Sequence, residues 1–366
     1  MHGKKTLSQL SPYQQGKQIE EIQREYGLEK IVKLSSNENP FGNSTKVSEN
    51  LLAHTSTFNV YPDGHATELR SEMAKKLHVN EDELIFGNGS DELVQIICRT
   101  FLESGANTVM ATPTFPQYRH HAIIEGASIK EVPTKSGYHD LDSMLEVIDE
   151  DTRIVWICSP DNPTGTLLSK EAFYNFMDQC PKEVLVILDE AYYEYLDPAL
   201  DFDALENRSL YKNIIILRTF SKAYGLAGLR IGYGIMDEAI AAKINIVRGP
   251  FNTSLISQQA ALLAMHDDQF IDDTVMKNRA IMHDFQAFLD DIGWSYYDSQ
   301  TNFILISTPI SGTEVFEYLL KNGYIIRPGE LLGYPNTIRV TIGLDADMKQ
   351  LQNLLYQLHL HINNEV

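Results

Sequence analysis

Short apolar runs recur along the first two thirds of the chain, each bounded by polar or turn-forming residues. Runs this short and this apolar are typical of strands that are buried on both faces of a sheet. Amphipathic stretches separate them; after Ser90, for example, Leu93, Ile96 and Ile97 fall on one side of a helix. The alternation predicts an α/β fold, with a mainly parallel sheet and helices on both faces. The predicted strands are 83–86, 108–111, 153–158, 184–188 and 214–217.

The pattern changes after residue 252. Long helical runs cover 254–292, and a smaller set of strands (302–306, 338–342) and helices (312–321, 346–360) follows. A chain of 366 residues is also long for one domain. We therefore predict a large domain over 43–270 and a smaller α/β domain over 271–366 that closes over a crevice. Residues 1–42 are predicted to form an N-terminal arm and part of the small domain.

Composition and net charge argue against several classes of protein. A net charge of −20 argues against nucleic-acid binding, which needs a basic surface. No apolar run approaches the roughly 20 residues of a membrane span, and residues 1–25 lack the apolar core of a signal peptide. The three cysteines have no metal-type spacing, so we expect reduced thiols, no metal site and a cytoplasmic protein.

Polar and aromatic side chains follow successive predicted strands. Phe115, Asn162, Asp189, Tyr192 and Lys222 all come just after an apolar run. Because the carboxyl ends of parallel strands meet at one edge of a sheet, these side chains are expected to converge on one rim. Open α/β folds bind their ligands at that rim.

Lys222 lies in a segment that suits a lysine forming a Schiff base beside a phosphate. The hydroxyls of Thr219 and Ser221 flank it, and Arg230 follows eight residues later. Gly87-Asn-Gly89 precedes a helix that starts at Ser90 and Asp91, and such a helix start offers free backbone N–H groups to a phosphate.

The other rim residues complete the requirements of a pyridoxal phosphate site. Asp189 can keep the pyridine nitrogen protonated, so that the ring accepts electrons. Tyr192 and Asn162 can hydrogen-bond the ring hydroxyl, and Phe115 can stack on the ring face. Further along, Arg327 and Arg339 each lie in an apolar, strand-like context, which favours an anion partner, although a salt bridge to a carboxylate is the alternative.

Five motifs in order resemble those of fold-type I aminotransferases, and most closely the histidinol-phosphate aminotransferase branch. They are Asn37-Glu-Asn-Pro, Gly89-Ser-Asp-Glu, Asp161-Asn-Pro-Thr-Gly, Asp189-Glu-Ala-Tyr and Thr219-Phe-Ser-Lys-Ala-Tyr-Gly. Tyr61-Pro-Asp-Gly and Arg248-Gly-Pro-Phe-Asn also fit that branch. Phe115 stands where a tyrosine is usual, and an aromatic face is kept.

The resemblance implies an activity and roles for individual residues. It implies transamination of L-histidinol phosphate with 2-oxoglutarate in histidine biosynthesis, with Lys222, Asp189 and Tyr192 as catalytic residues. Ser90, Asp91 and Glu92 are implied to bind the cofactor, and Tyr61 to reach the cofactor phosphate of a neighbouring subunit in a homodimer with shared active sites. The implied substrate ligands are Arg327, Arg339, Tyr13 and Asn39.

Two other classes remain open at this stage. The cofactor motifs do not distinguish this activity from that of another fold-type I enzyme, such as an aromatic amino-acid aminotransferase or a threonine-phosphate decarboxylase. Activity on a phosphorylated amino alcohol would separate them. A non-catalytic, cofactor-binding effector domain is the second alternative, but the chain carries no basic helix-turn-helix segment.

Overall fold

The computed structural model describes residues 3–12, 19–51, 58–202 and 204–364. In these ranges the strands are β1 (Val32–Lys33), β2 (Leu84–Gly87), β3 (Asn107–Thr112), β4 (Ser128–Pro133), β5 (Thr152–Cys158), β6 (Leu185–Asp189), β7 (Ile214–Thr219), β8 (Gly232–Met236), β9 (Phe303–Ser307), β10 (Tyr324–Ile325), β11 (Arg327–Pro328) and β12 (Thr337–Thr341). The α-helices are α1 (Ile19–Tyr26), α2 (Thr45–Asn50), α3 (Thr67–Leu77), α4 (Ser90–Phe101), α5 (Gln117–Glu125), α6 (Leu141–Glu146), α7 (Lys170–Gln179), α8 (Ala204–Asn207), α9 (Glu238–Val247), α10 (Leu255–Ala264), α11 (Asp268–Asp291), α12 (Gly312–Lys321) and α13 (Asp345–Asn364).

The central sheet has seven strands in the described part of the chain, in the order β2-β8-β7-β6-β5-β3-β4. The neighbours from β7 to β4 pair in parallel, whereas β8 runs antiparallel to both β2 and β7. The α/β class and the mainly parallel sheet are therefore confirmed. All five strands predicted in the first two thirds of the chain belong to this sheet.

Both faces of the central sheet are buried. In β5, Val155 and Ile157 enter one apolar cluster, while Ile154 and Trp156 enter another on the opposite face. Because successive side chains of a strand point to opposite faces, a strand covered by helices on both sides must be apolar throughout. This burial explains why these strands were visible as continuous apolar runs.

A separate apolar cluster forms around β9 and β12. It contains residues from 282 to 358 together with Val32 and Leu34 from the beginning of the chain. The same early segment pairs in parallel with β10, Val32 opposite Tyr324. The predicted division of the chain at 42/43 and 270/271 stays a prediction.

No helix in the described ranges combines the length and the apolar character needed to cross a bilayer.

Candidate active site

Lys222 lies just beyond the carboxyl end of β7. Its side chain is half-buried, and Nζ donates a hydrogen bond to the Ser36 carbonyl over 3.4 Å. Nζ also lies 5.6 Å from the centre of the Tyr192 ring. Burial, reinforced by the positive charge of Arg339, lowers the pKa of the Lys222 amine to about 8. A much larger share of this amine is therefore neutral near pH 8 than in an ordinary lysine, as nucleophilic attack requires.

Asp189 ends the neighbouring strand, β6. The carboxylate accepts a hydrogen bond from Tyr118 Oη over 2.7 Å and another from the backbone N–H of Ala191. Burial raises the pKa of Asp189 to about 6, although the Tyr118 bond acts in the opposite direction. The carboxylate is therefore mainly charged at neutral pH, and it can pair with a cationic nitrogen.

Tyr118 is a site residue that the sequence analysis did not single out. It is fully buried, and its ring stacks on Trp156 with centroids 4.6 Å apart. The half-buried Phe115 meets the Tyr118 ring edge-on at 5.4 Å. Tyr118 comes three residues after Phe115, in the first turn of α5, and its closeness in the chain to a predicted rim residue is a signal that could have found it.

Tyr192, Asn162 and Asn37 form one hydrogen-bonded group. The buried Tyr192 hydroxyl accepts from Asn37 Nδ2 at 2.9 Å and from Asn162 Nδ2 at 3.3 Å. Because both bonds use oxygen lone pairs, the O–H proton is left to donate to a ligand. Burial raises the pKa of Tyr192 above its ordinary value, which keeps that proton in place.

Thr219, Ser221 and Arg230 meet at the start of α4. Thr219 Oγ1 donates to Ser221 Oγ at 3.0 Å, and Arg230 Nη1 donates to the same oxygen at 3.3 Å. The other side of the guanidinium reaches the Asn88 carbonyl at 3.3 Å. The cap residue of α4 is Gly89, which has no side chain to occupy the first backbone N–H groups of the helix.

Glycines keep this corner open. A Cβ on Gly89 would lie 2.6 Å from Arg230 Nη2, and one on Gly232 would lie 2.7 Å from the backbone nitrogen of Ser90. A guanidinium, two hydroxyls and free helix N–H groups around a space bounded by glycines make a site for a phosphate group.

Asp91 and Glu92 have different surroundings in the structure. Asp91 Oδ2 lies 3.4 Å from Arg230 Nη2 in a largely exposed ion pair, a type of contact that stabilises little. Glu92 Oε2 instead accepts from the backbone nitrogen of Asn88 at 2.7 Å and from Asn252 Nδ2 at 2.7 Å. Glu92 thus holds the loop before α4 against the turn that precedes α10.

The two arginines lie opposite each other on adjacent antiparallel strands, Arg327 in β11 and Arg339 in β12. Arg339 is buried and donates to Asn162 Oδ1 at 2.6 Å and to the Ser35 carbonyl at 2.8 Å. Arg339 therefore connects the β9–β12 sheet to the Asn162 loop at the rim of the central sheet. Since directly opposite residues share a face, both arginines can contact one anionic ligand.

Asn39 and Tyr61 make other contacts in the structure. Asn39 Nδ2 donates to the Ala223 carbonyl at 2.8 Å, and Asn39 Oδ1 accepts from the backbone nitrogen of Phe41. Tyr61 is 78% exposed and stacks on Phe251 at 4.7 Å. Tyr13 lies outside the described residues.

The sequence of this chain is similar to those of a known protein family. The family model described as aminotransferase class I and II matches residues 29–357. Histidinol-phosphate aminotransferase 2 of Oceanobacillus iheyensis is 57% identical over 358 residues, which cover 98% of each chain. The histidinol-phosphate aminotransferase of Geobacillus sp. (strain WCH70) is 51% identical, with 98% of each chain covered.

A solved structure agrees with these relatives. Histidinol-phosphate aminotransferase from Sinorhizobium meliloti, in complex with pyridoxal-5'-phosphate, superposes with a TM-score of 0.89 at 26% identity and covers 98% of both chains. The match to the family model and the sequence identities over nearly the full length of the relatives show that this chain belongs to the class I and II aminotransferase family, among the histidinol-phosphate aminotransferases.

Proposed function

We propose that the protein transfers the amino group of L-histidinol phosphate to 2-oxoglutarate, giving imidazole-acetol phosphate and glutamate. The observation that carries this proposal is the half-buried Lys222 amine, with a pKa lowered by burial and by the charge of Arg339, in a chain 57% identical to a histidinol-phosphate aminotransferase. The pathway served would be histidine biosynthesis.

The residues present fit pyridoxal 5'-phosphate. The space beside Gly89 and Gly232 is one that an added Cβ would fill. The hydroxyl proton of Tyr192 is available to a ligand oxygen. When bound, this cofactor withdraws electrons from the substrate carbon that loses its proton. We assign the phosphate to Ser90, Asp91, Thr219, Ser221 and Arg230, and the ring to Asp189, Tyr192, Asn162 and Phe115.

Lys222 has two tasks in this proposal. Its neutral amine would hold the cofactor covalently when the cofactor is bound, and the same amine would accept and return the proton of the substrate's reacting carbon. Asp189 keeps a positive charge on the ring nitrogen. Arg327 and Arg339 bind the anionic groups, the phosphate of one substrate and the carboxylates of the other, because a guanidinium fork suits both.

The test is a half-reaction followed through the visible absorbance of the bound cofactor. Histidinol phosphate added without a keto acid should change the cofactor spectrum faster than phenylalanine, aspartate or threonine phosphate does. The matched control, Lys222→Ala, should keep its fold and lose turnover by on the order of 10³-fold or more. A spectrum that responds to phenylalanine and ignores histidinol phosphate would reject the substrate, and wild-type turnover in Lys222→Ala would reject the mechanism.

We further propose a cytoplasmic homodimer. Cys98, Cys158 and Cys180 are buried free thiols, as suits a reducing compartment. Exposed apolar side chains, among them Tyr61 and Phe251, offer a surface for a second copy. Cell fractionation and light scattering test these two statements; recovery in a secreted fraction, or a monomer at working concentration, would contradict them.

A further inference from the structure

One buried polar pair beside the site has no role in the proposed function. His139 follows β4, and its Nε2 lies 3.1 Å from Oδ1 of Asp161, with each side chain 1% exposed. Asp161 directly precedes Asn162, which hydrogen-bonds Tyr192. A fully buried histidine–carboxylate pair is unusual without a specific task, because burying polar groups costs free energy unless they are fully hydrogen-bonded.

Asp161 accepts hydrogen bonds from two other segments and from its own loop. Thr114 Oγ1 donates to Oδ1 at 2.6 Å, Thr164 Oγ1 donates to Oδ2 at 2.9 Å, and His139 approaches Oδ1. Thr114 directly precedes Phe115 in the chain. The Asp161 carboxylate therefore ties the loop that carries Phe115, after β3, to the loop that carries Asn162, after β5.

The segment that carries His139 is itself fixed. Lys135 and Tyr138 close a tight turn by an antiparallel bridge. The Gly137 carbonyl inside this turn accepts from Thr166 Oγ1 at 2.7 Å, and Thr164 Oγ1, whose proton goes to Asp161, lies 3.1 Å from the same oxygen. His139 is thus presented to Asp161 from a turn that is hydrogen-bonded to the same loop, so the pair has little freedom to separate.

The surroundings also define the tautomer of His139. Its Nδ1 is buried and has no hydrogen-bond partner among the described residues. A proton on Nδ1 would be buried without an acceptor, so a ring with a single proton carries it on Nε2 and donates it to Asp161. Asp161 then accepts three hydrogen bonds, an arrangement that suits a carboxylate and that an amide could not reproduce.

We propose that His139 and Asp161 are positioning residues, whose hydrogen bond holds the Phe115 and Asn162 loops at one spacing, so that the ring face and the ring hydroxyl of the cofactor are contacted together. This inference rests on the proposed function, because it assigns those two loops to the cofactor ring. Neither His139 nor Asp161 touches the ring in this proposal; they act through Phe115 and Asn162.

Three variants of the full-length protein test the proposal. His139→Leu removes the donor to Asp161, and His139→Gln keeps an amide donor in the same region. The matched control is Thr152→Val at the opposite end of β5, which removes the contacts of Thr152 Oγ1 with Asn107 Oδ1 (2.7 Å) and with Asp149. The measurements are the dissociation constant for pyridoxal phosphate, the visible circular dichroism of the bound cofactor, and the thermal midpoint at saturating cofactor.

We expect His139→Leu to weaken cofactor binding by on the order of tenfold and to reduce the visible circular dichroism. His139→Gln should restore most of both signals. Thr152→Val should lower the thermal midpoint and leave both cofactor signals unchanged.

Wild-type affinity and circular dichroism in His139→Leu would overturn the proposal, and so would an equal loss of affinity in Thr152→Val. If His139→Leu does not fold, Thr114→Val removes the hydroxyl that joins the Phe115 loop to Asp161 and leaves His139 in place. It should weaken binding severalfold, and unchanged affinity there would also overturn the proposal. A wild-type protein that binds no pyridoxal phosphate would instead reject the proposed function.

Discussion

Burial changes the acidity of two site residues in opposite directions. Lys222 loses protons more readily than a free lysine, while Asp189 holds its proton more strongly than a free aspartate. Both shifts follow from the cost of a charge away from water. In the interval from about pH 6 to about pH 8 the site offers a charged Asp189 and a growing fraction of neutral Lys222.

The pKa of Lys222 predicts how cofactor uptake depends on pH. Because only the neutral amine attacks, the second-order rate of pyridoxal phosphate incorporation into cofactor-free protein should rise with a midpoint near the lysine pKa of about 8. Stopped-flow absorbance between about pH 6.5 and about pH 10 measures it. Arg339→Gln should move the midpoint upwards, since a nearby positive charge is removed. A rate that still rises steeply near pH 10 in the wild type would contradict the prediction.

Asp189→Asn should make the protein more stable and lower its turnover. Between the unfolded pKa of 3.8 and the folded pKa of about 6, the folded protein binds more protons, so the free energy of unfolding falls as pH rises through this window. The variant avoids that penalty, and its cofactor-free form should gain on the order of 2 kcal/mol at about pH 7.5, with a smaller gain at about pH 5.

Turnover of Asp189→Asn should meanwhile fall by on the order of 10²-fold or more, because the ring nitrogen loses its charged partner. Urea unfolding at the two pH values and steady-state rates provide the comparison. An unimpaired rate would rule out the assigned pairing, and an equal stability gain at both pH values would rule out the burial argument.

Local sequence patterns predicted the site residues at the ends of strands. They missed the residues that contact these side chains from distant parts of the chain. Lys222 and Asp189 follow apolar runs, so their place at the rim could be inferred. Asn37 donates to the hydroxyl of Tyr192, and Tyr118 donates to Asp189. Contacts between residues so far apart in sequence leave no local pattern, because only the folded sheet brings their segments together.

At the level of elements, β2, β3, β5, β6 and β7 of the central sheet were predicted, whereas β8 and β4 were not. β8 reads Gly-Tyr-Gly-Ile-Met, and two glycines weaken the strand pattern. β4 is an edge strand in which most positions are exposed or half-buried, so it lacks a continuous apolar run. Both strands form because neighbouring strands pair with them, more than because their own residues favour a strand.

The glycines of β8 have a specific packing role, which Gly232→Ala tests. The added Cβ would meet the backbone of Ser90 at 2.7 Å and of Gly89 at 2.8 Å, so α4 must shift. We expect a loss of about 1–3 kcal/mol in stability and weaker cofactor binding. Calorimetry and cofactor titration measure the two effects.

Gly228→Ala is the matched control for this substitution, because nothing lies within 4 Å of its added Cβ. It should leave stability and cofactor affinity close to the wild type. Equal behaviour of the two alanine variants would show that the close approach of β8 to α4 has no energetic consequence.

At the scale of the whole molecule, Tyr61 is the residue whose predicted role requires a second subunit. Its ring stacks on Phe251 and is otherwise largely exposed. If Tyr61 of the partner subunit binds the cofactor phosphate, each active site needs residues from two chains. A site that lacks either Tyr61 or Lys222 should then be impaired.

Mixed dimers test this arrangement directly. Tyr61→Phe chains and Lys222→Ala chains, refolded together, form one site with both defects and one with neither. Activity should return to about one quarter of the wild-type level, because half of the dimers are mixed and each has one intact site. No recovery above the parental variants would place Tyr61 outside the shared site.

The pairing of β1 with β10 has a consequence for how this protein is made. A ribosome releases Val32 and Leu34 long before Tyr324 and the rest of their apolar cluster exist. At about 5–20 residues per second, these side chains wait for tens of seconds without their partners. During that interval a nascent chain exposes an unpaired strand, the kind of surface that chaperones bind.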